Sequence, residues 1–307
     1  MTEAEIAQQL VSLRDHVFAH ATAQIALPRP RKTRLAVDAL QPLIRQLNSP
    51  ALFDDWEELY VLLCCHRRFR PARTHGRLKR MERRYAKKGQ EARFATFFEC
   101  VKQTLHPDFI TPHGYNRTFS EMASDEILSK LDSELKPVIQ LGKPIMLYAG
   151  ALLGHVRDGR LIDHDDDVDF AVYLGESTLD DIPKEWALFQ QDLIANNCLD
   201  PESLTRNSPT FKVRNSLGID IDLFPAWSDG GRFSVYPYSL NDLPDDAIFP
   251  LKPLNGGTIG LPQDEPALLA QSYGENWRIP DPLFHFDWPS ARRRFASLRQ
   301  YDYSVTG

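Results

Sequence analysis

Five carboxylates fall within seven residues in Leu161-Ile-Asp-His-Asp-Asp-Asp-Val-Asp-Phe170 (Asp163, Asp165, Asp166, Asp167 and Asp169), and the run leads straight into the apolar stretch that ends at Leu174. In an extended segment residues two apart point to the same side, so Asp167 and Asp169 face one way and Asp165 can join them from the mouth of the strand. Folding alone gives no reason to crowd charge like this, and crowded ionised carboxylates are tolerable when a hard cation such as Mg²⁺, or Mn²⁺ in its place, neutralises them. Asp220-Ile-Asp222 repeats the spacing inside a second apolar segment, 219–224. Two such strands side by side would make a divalent-metal site.

Two other readings compete. Asp165, Asp167, Asp169 and Glu176 match the ligand positions of an EF-hand loop, but Phe170 stands where that loop needs glycine, and 170–174 reads as strand. A solvated acidic loop is disfavoured because Val168, Phe170, Ile219, Ile221 and Leu223 interleave the acids.

Periodicity places these segments in a wider order. Ile6, Leu10, Leu13 and Val17 recur at helical spacing, as do Val37, Leu40, Ile44 and Leu47, with Pro28 and Pro30 between them and Pro42 interrupting the second. Residues 54–65 open acidic and turn apolar from Leu59, which predicts a helix buried in its second half, and 92–105 predicts a short aromatic-rich helix. Pro107, Pro112 and Gly114 mark a linker over 106–114 and a boundary near 115. Ser120 opens a helix predicted to run to Leu141, with Gly142 as its stop. Strands are expected at 145–149, 168–174 and 219–224, and a helix at 265–273.

Charge narrows the function classes. The net charge is −6, yet residues 66–93 carry twelve Lys or Arg against Glu82 and Glu91. Such a block attracts polyanions: an anionic membrane surface or a phosphate-rich polymer, with nucleic acid less favoured. A solvated helix face is the bland alternative. No stretch approaches a membrane-spanning apolar run, and Glu3, Glu5, Arg14 and Asp15 occupy the start where a signal peptide would be apolar. A cytoplasmic protein is expected, with peripheral attachment at the inner membrane face as an extension. Cys64, Cys65, Cys100 and Cys198 are too few and too irregular for a disulfide framework and lack zinc-ligand spacing.

Upstream of the acids, Tyr148-Ala-Gly-Ala-Leu-Leu-Gly154 ends a strand and opens a helix, where backbone N–H groups can hold a phosphate. Gly150-Ala-Leu-Leu-Gly-His-Val-Arg-Asp-Gly-Arg160, Asp165-Asp-Asp-Val-Asp169, Ile219-Asp-Ile-Asp-Leu-Phe-Pro225 and Leu261-Pro with Tyr273-Gly-Glu-Asn-Trp277 together resemble the LicD/fukutin family, over about residues 116–285. The resemblance implies an α+β fold with a polymerase-β-like nucleotidyltransferase catalytic domain and a mixed sheet over 116–307, while the all-α region before it, over 1–115, is read from periodicity and lies outside the resemblance. It also implies a Mg²⁺-dependent transferase moving ribitol phosphate, glycerol phosphate or phosphocholine from a CDP-activated alcohol to a glycan or lipid-linked phosphoglycan, as in capsule or teichoic-acid-like polymer synthesis. Departures are Ala151, where the family commonly has Thr or Ser, and His164, where Trp is usual.

The residues carried over are Asp167, Asp169 and Asp222 as catalytic carboxylates, with Asp165 and Asp220 as supporting metal ligands. Gly150, Arg157, Lys212 and Arg214 are the candidates for the donor phosphates; the alternatives are a salt bridge to the acidic loop for Arg157 and a plain solvent-facing edge strand for Lys212 and Arg214. Tyr273 and Trp277 are candidates to stack on cytosine or a sugar, or else to pack. Two other functions stay open: a true nucleotidyltransferase releasing pyrophosphate, and an inactive adaptor that binds polyanions.

Overall fold

A computed structural model describes residues 50–303, apart from 112–113, 120–123, 202, 204–206, 282 and 285, together with isolated positions before residue 16. The apolar positions of the first two expected helices, Pro28, Pro30, Pro42 and the cap at Ser120 lie outside the described residues. The chain divides into two compact units, Met1–Thr118 and Phe119–Gly307.

The first unit holds α1 (Pro50–His66), α2 (Pro71–Lys87) and α3 (Glu91–Leu105), followed by a hairpin of β1 (Asp108–Ile110) and β2 (Tyr115–Arg117). Pro71 opens α2 at a position where no N–H is needed. Burial on α1 is not confined to its second half and takes in acids: Asp54, Glu57 and Glu58 are each no more than 4% exposed, while Asp55 is partly exposed. The reason lies in the basic segment. Arg84 bonds Asp54 and Glu57, Arg77 bonds Glu57, Lys88 bonds Asp54, and Arg93 bonds Asp55 and Glu58. Much of the basic block is thus matched inside its own unit. The segment read as a linker is the hairpin, closed where Thr111 N–H donates to the Gly114 carbonyl; strands of three residues leave no periodic signal.

The second unit begins with α4 (Ser124–Glu134) and the short α5 (Lys136–Ile139), then β3 (Ile145–Leu147), α6 (Ala149–Asp158), β4 (Asp167–Glu176), α7 (Ile182–Ala195), β5 (Phe211–Lys212), β6 (Asp220–Asp229), β7 (Arg232–Val235), β8 (Ser239–Pro244), β9 (Lys252–Pro253), β10 (Gly260–Leu261), α8 (Glu265–Tyr273), α9 (Trp288–Arg294) and α10 (Ala296–Gln300). The single helix expected to reach Leu141 is broken ahead of Pro137, which cannot donate within a helix and clashes with the preceding turn.

Among the described residues, eight strands form a curled mixed sheet in the order β8-β7-β6-β4-β3-β10-β9, with β5 also on β6. β4 and β6 pair in parallel at its centre, and β3 runs antiparallel to β4. Central strands are covered on both faces, which is why both read as apolar runs: Phe170, Ala171, Val172, Ile221, Leu223 and Ala226 are buried. Trp186 of α7 stacks on Phe211 at 4.5 Å and anchors that helix to the sheet. Each such side chain removed from water contributes roughly 1.5–3 kcal/mol. The unit is α+β, as expected. No described helix is long and apolar enough to cross a membrane.

Candidate metal and phosphoryl-transfer site

Strand polarity assembles the site. Because β4 and β6 are parallel, their acidic N-terminal ends lie at the same edge of the sheet, in the register Asp167 opposite Asp220 and Asp169 opposite Asp222. The antiparallel β3 brings its C-terminal end to that edge, with Leu147 opposite Phe170, and so delivers the turn into α6. Tyr148 N–H donates to the Asp169 carbonyl at 2.9 Å, and Gly150 N–H donates to Asp169 Oδ2 at 3.3 Å. Ala149 sits between them in the left-handed region at φ 43°, a strained conformation for a residue with a side chain, held by this junction.

Two carboxylate groups form there. Oxygens of Asp167, Asp169 and Asp222 lie within 4.8 Å of one another, and so do oxygens of Asp165, Asp166 and Asp167. Asp167 belongs to both. Burial, followed by the charge of Asp167, pushes the Asp165 and Asp169 carboxyls well above the usual carboxylate range, with the Gly150 N–H working against the rise at Asp169. The donor set is all oxygen, which suits a hard divalent ion. The space is also kept open by a missing side chain: a Cβ on Gly150 would lie 2.5 Å from Asp165 Oδ2. The residues present therefore fit Mg²⁺ or Mn²⁺.

The other expected site residues are placed differently. Asp220, in register with Asp167, is ion-paired to Lys212 and belongs to neither group. Its side chain is about half exposed, and β5 lays Lys212 beside Asp222 in the register, close enough for the lysine to reach the neighbouring acid. Lys212 is therefore committed to a carboxylate. Arg157 grips Asp158, its neighbour on α6, with two bonds of 2.9 and 2.7 Å, a salt bridge within its own helix and not the one expected to the acidic loop, and Arg214 Nε donates to the Leu199 carbonyl at 2.8 Å. Asp163 leaves the acidic run to pair with Arg160 at 2.7 Å. Asp167–Glu176 is one continuous strand, so no EF-hand loop forms. Trp277 is buried with Arg278 over its ring, and Tyr273 packs on Tyr238 and Phe284 at ring distances of 5.4 and 5.0 Å.

Sequence reasoning missed Asp166 as a group member, although the run of acids contained it. It also missed Tyr148 and Tyr238, whose rings meet at 5.8 Å. Burial raises both phenols, and the negative charge of Asp169 raises them further. Nothing in the spacing marks Tyr238; only the β7–β8 turn brings it there.

Residues 142–263 match the LicD/FKTN/FKRP family of nucleotidyltransferase domains. The chain carries a LicD-family domain. The match spans β3 to β10 and so includes both carboxylate groups, while the Tyr273-Gly-Glu-Asn-Trp277 block lies beyond it. A LicD-family domain implies a transferase. A comparison with curated proteins gives no match.

Proposed function

We propose that this LicD-family chain moves a phosphoryl-linked alcohol (ribitol phosphate, glycerol phosphate or phosphocholine) from a CDP-activated donor to a glycan hydroxyl, on a polymerase-β-like nucleotidyltransferase fold. The observation that carries the reading is the pair of carboxylate groups sharing Asp167 at the common edge of two parallel strands. A divalent ion bound there would neutralise charge building on the transferred phosphoryl group. Asp167 and Asp169 are the principal ligands, with Asp222, Asp165 and Asp166 completing the two groups. Asp222 also accepts the proton of the acceptor hydroxyl. The acceptor oxygen forms a bond to the phosphorus bearing the alcohol as that phosphorus loses its bond to the pyrophosphate bridge oxygen, and CMP departs. Gly150 fixes the Asp169 carboxylate through its N–H and leaves room for the donor phosphate. The acceptor class fits assembly of a capsule or teichoic-acid-like polymer on the cytoplasmic side of a membrane.

The test is nucleotide release with Mg²⁺ from CDP-ribitol, CDP-glycerol, CDP-choline and CTP, with a crude phosphoglycan acceptor, beside Asp167→Asn. CMP from one CDP-alcohol, lost in the variant, is expected. Pyrophosphate from CTP would replace this reading with nucleotidyl transfer, and no turnover of any donor would remove it.

A further inference from the structure

The acidic edge of the sheet has an aromatic flank. Tyr148, whose N–H bonds the Asp169 carbonyl, is buried and stands edge-on to the ring of Tyr238 at 5.8 Å and 83°. Tyr238 in turn meets Tyr273, the last residue of α8, at 5.4 Å and Phe286 at 4.4 Å, and Tyr273 meets Phe284 at 5.0 Å. These last four side chains are only partly buried, so the flank ends in open ring surface rather than in core. It also lies within electrostatic reach of the acids: burial raises the Tyr238 and Tyr273 phenols, and the charges of Asp169 and Asp165 raise both further. Both therefore keep their O–H.

Tyr238 belongs to no strand. It closes the turn between β7 and β8, and one carboxylate fixes that turn. Asp242 Oδ2 accepts from the Leu240 N–H at 3.0 Å and from Gln271 Nε2 of α8 at 2.8 Å. Arg294, the last residue of α9, reaches the same oxygen at 3.4 Å and donates to the Tyr238 carbonyl at 2.8 Å. Asp242 thus ties the turn that carries Tyr238 to the helix that carries Tyr273, and both to α9.

We propose that Tyr238 contacts the substrate, its ring receiving the alcohol carried on the donor's transferred phosphorus, and that Asp242 is the residue that positions it. The proposal rests on the CDP-alcohol reading above. With that phosphorus at the carboxylate site, the alcohol is one ester oxygen away, whereas cytosine is separated from it by a second phosphate and a ribose. A flank that starts at Asp169 therefore meets the alcohol first. Aromatic faces take C–H and ammonium groups, and a neutral phenol can donate to a hydroxyl oxygen, so the surface suits a small organic alcohol.

The full chain with Mn²⁺ is titrated calorimetrically with CDP-ribitol, CDP-glycerol, CDP-choline and CDP. One CDP-alcohol is expected to bind more tightly than CDP. Tyr238→Leu, which keeps apolar bulk without the ring, should weaken that CDP-alcohol by about 5- to 10-fold and leave the affinities for CDP and Mn²⁺ unchanged. Asp242→Ala should give the same selective loss, and Asp242→Asn, which retains an acceptor oxygen for Leu240 and Gln271, should recover most of it. Equal weakening of CDP and the CDP-alcohol in Tyr238→Leu, or a loss in Asp242→Ala that Asp242→Asn does not recover, would overturn the proposal. A preference for the CDP-alcohol that survives Tyr238→Leu would overturn it and leave the reaction above intact. A wild-type chain that binds every CDP-alcohol no better than CDP would overturn both.

Discussion

Gly150 and Gly154 stand one turn apart on α6, both buried, and a methyl group at each meets a different obstacle. At Gly150 the added carbon lies 2.5 Å from Asp165 Oδ2 and 3.7 Å from Asp169 Oδ2; at Gly154 it lies 2.6 Å from the Arg160 carbonyl oxygen and 2.8 Å from Ile162 N. The first obstacle is the tip of a side chain that can turn aside. The second is main chain. Ordinary contact begins at 3.4 Å, so Gly150→Ala drives the Asp165 carboxylate back by about 0.9 Å. A displacement of that order costs about 100-fold in rate where the group must be positioned. Helix propensity works the other way, favouring alanine by about 1 kcal/mol, so the fold is left nearly as stable as before. Gly154→Ala must move backbone at a cost of about 1–3 kcal/mol, which lowers the melting temperature by roughly 2–12 °C in a unit of this size. The assays are Mn²⁺ titration calorimetry, CMP release and thermal melting on both variants. We expect Gly150→Ala to melt within about 4 °C of wild type while Mn²⁺ affinity falls by about 10- to 100-fold. We expect Gly154→Ala to melt early and bind Mn²⁺ normally while folded. If Gly150→Ala binds Mn²⁺ as wild type does, or if its losses simply track its melting temperature, Asp165 is no ligand and the reasoning fails.

Three further outcomes follow from the same structure. The Asp165 and Asp169 carboxyls are raised by burial and by Asp167, so without a cation the folded state holds protons that the unfolded chain releases near its ordinary carboxylate range. Stability in EDTA should therefore fall as pH rises above the ordinary carboxylate range, and Mg²⁺ should raise the melting temperature more at the upper end; a flat profile, or a larger Mg²⁺ effect in acid, would contradict this. Arg84→Ala leaves Asp54 and Glu57, whose side chains are 4% and 6% exposed, with Lys88 and Arg77 respectively as ion-pair partners among the described residues. A loss of about 1–3 kcal/mol in denaturant unfolding is expected, and a loss under 0.5 would show that the pairing contributes little. Burial pushes the Cys64 and Cys65 thiols up, so both should resist a disulfide reagent at about pH 8 until guanidinium is added; rapid labelling of Cys65 in mass mapping would refute its burial.

What the sequence revealed, and what it hid, follows from how far each signal reaches along the chain. The helix at 265–273 is found residue for residue because its cap is local: Asp264 accepts from the Ala267 N–H. Strands β4 and β6 are found because an Asp-x-Asp start on an apolar run is a pattern of period two. The hairpin at 106–117 and the β7–β8 pair are missed because short strands with Pro and Gly nearby look like loops until a partner strand is specified. Within the site, the Asp-x-Asp spacing fixes which acids share a face, but which cation reaches which acid is decided by register. Lys212 and Arg214 read as a matched pair two residues apart. Yet β5 ends at Lys212, which turns to Asp220, while Arg214 turns to the Leu199 carbonyl. The basic segment misleads for the same reason: its counter-charges stand on α1, and no local window contains both.

Where the cations went is itself evidence about the acidic edge. The pairings with Lys212 and Arg160 take Asp220 and Asp163, whose side chains are 53% and 47% exposed. Pairs of that exposure contribute little to stability. Asp169 is buried and touches no cation among the described residues, accepting instead the Gly150 N–H. A fold arranged for stability alone would do the reverse, since an uncompensated buried carboxylate is costly and a solvated one is not. The α1–α2 pairs show that this chain matches buried acids with arginine where no ion is needed: Asp54 and Glu57 are as buried as Asp169 and each is bonded to Arg84. Among the described residues Asp169 is not matched in that way, and it lies at the edge of the sheet where Gly150 keeps a side chain out of the gap. Both features stabilise a state that includes a cation and destabilise the state without one, which is the thermodynamic condition for a metal-binding site.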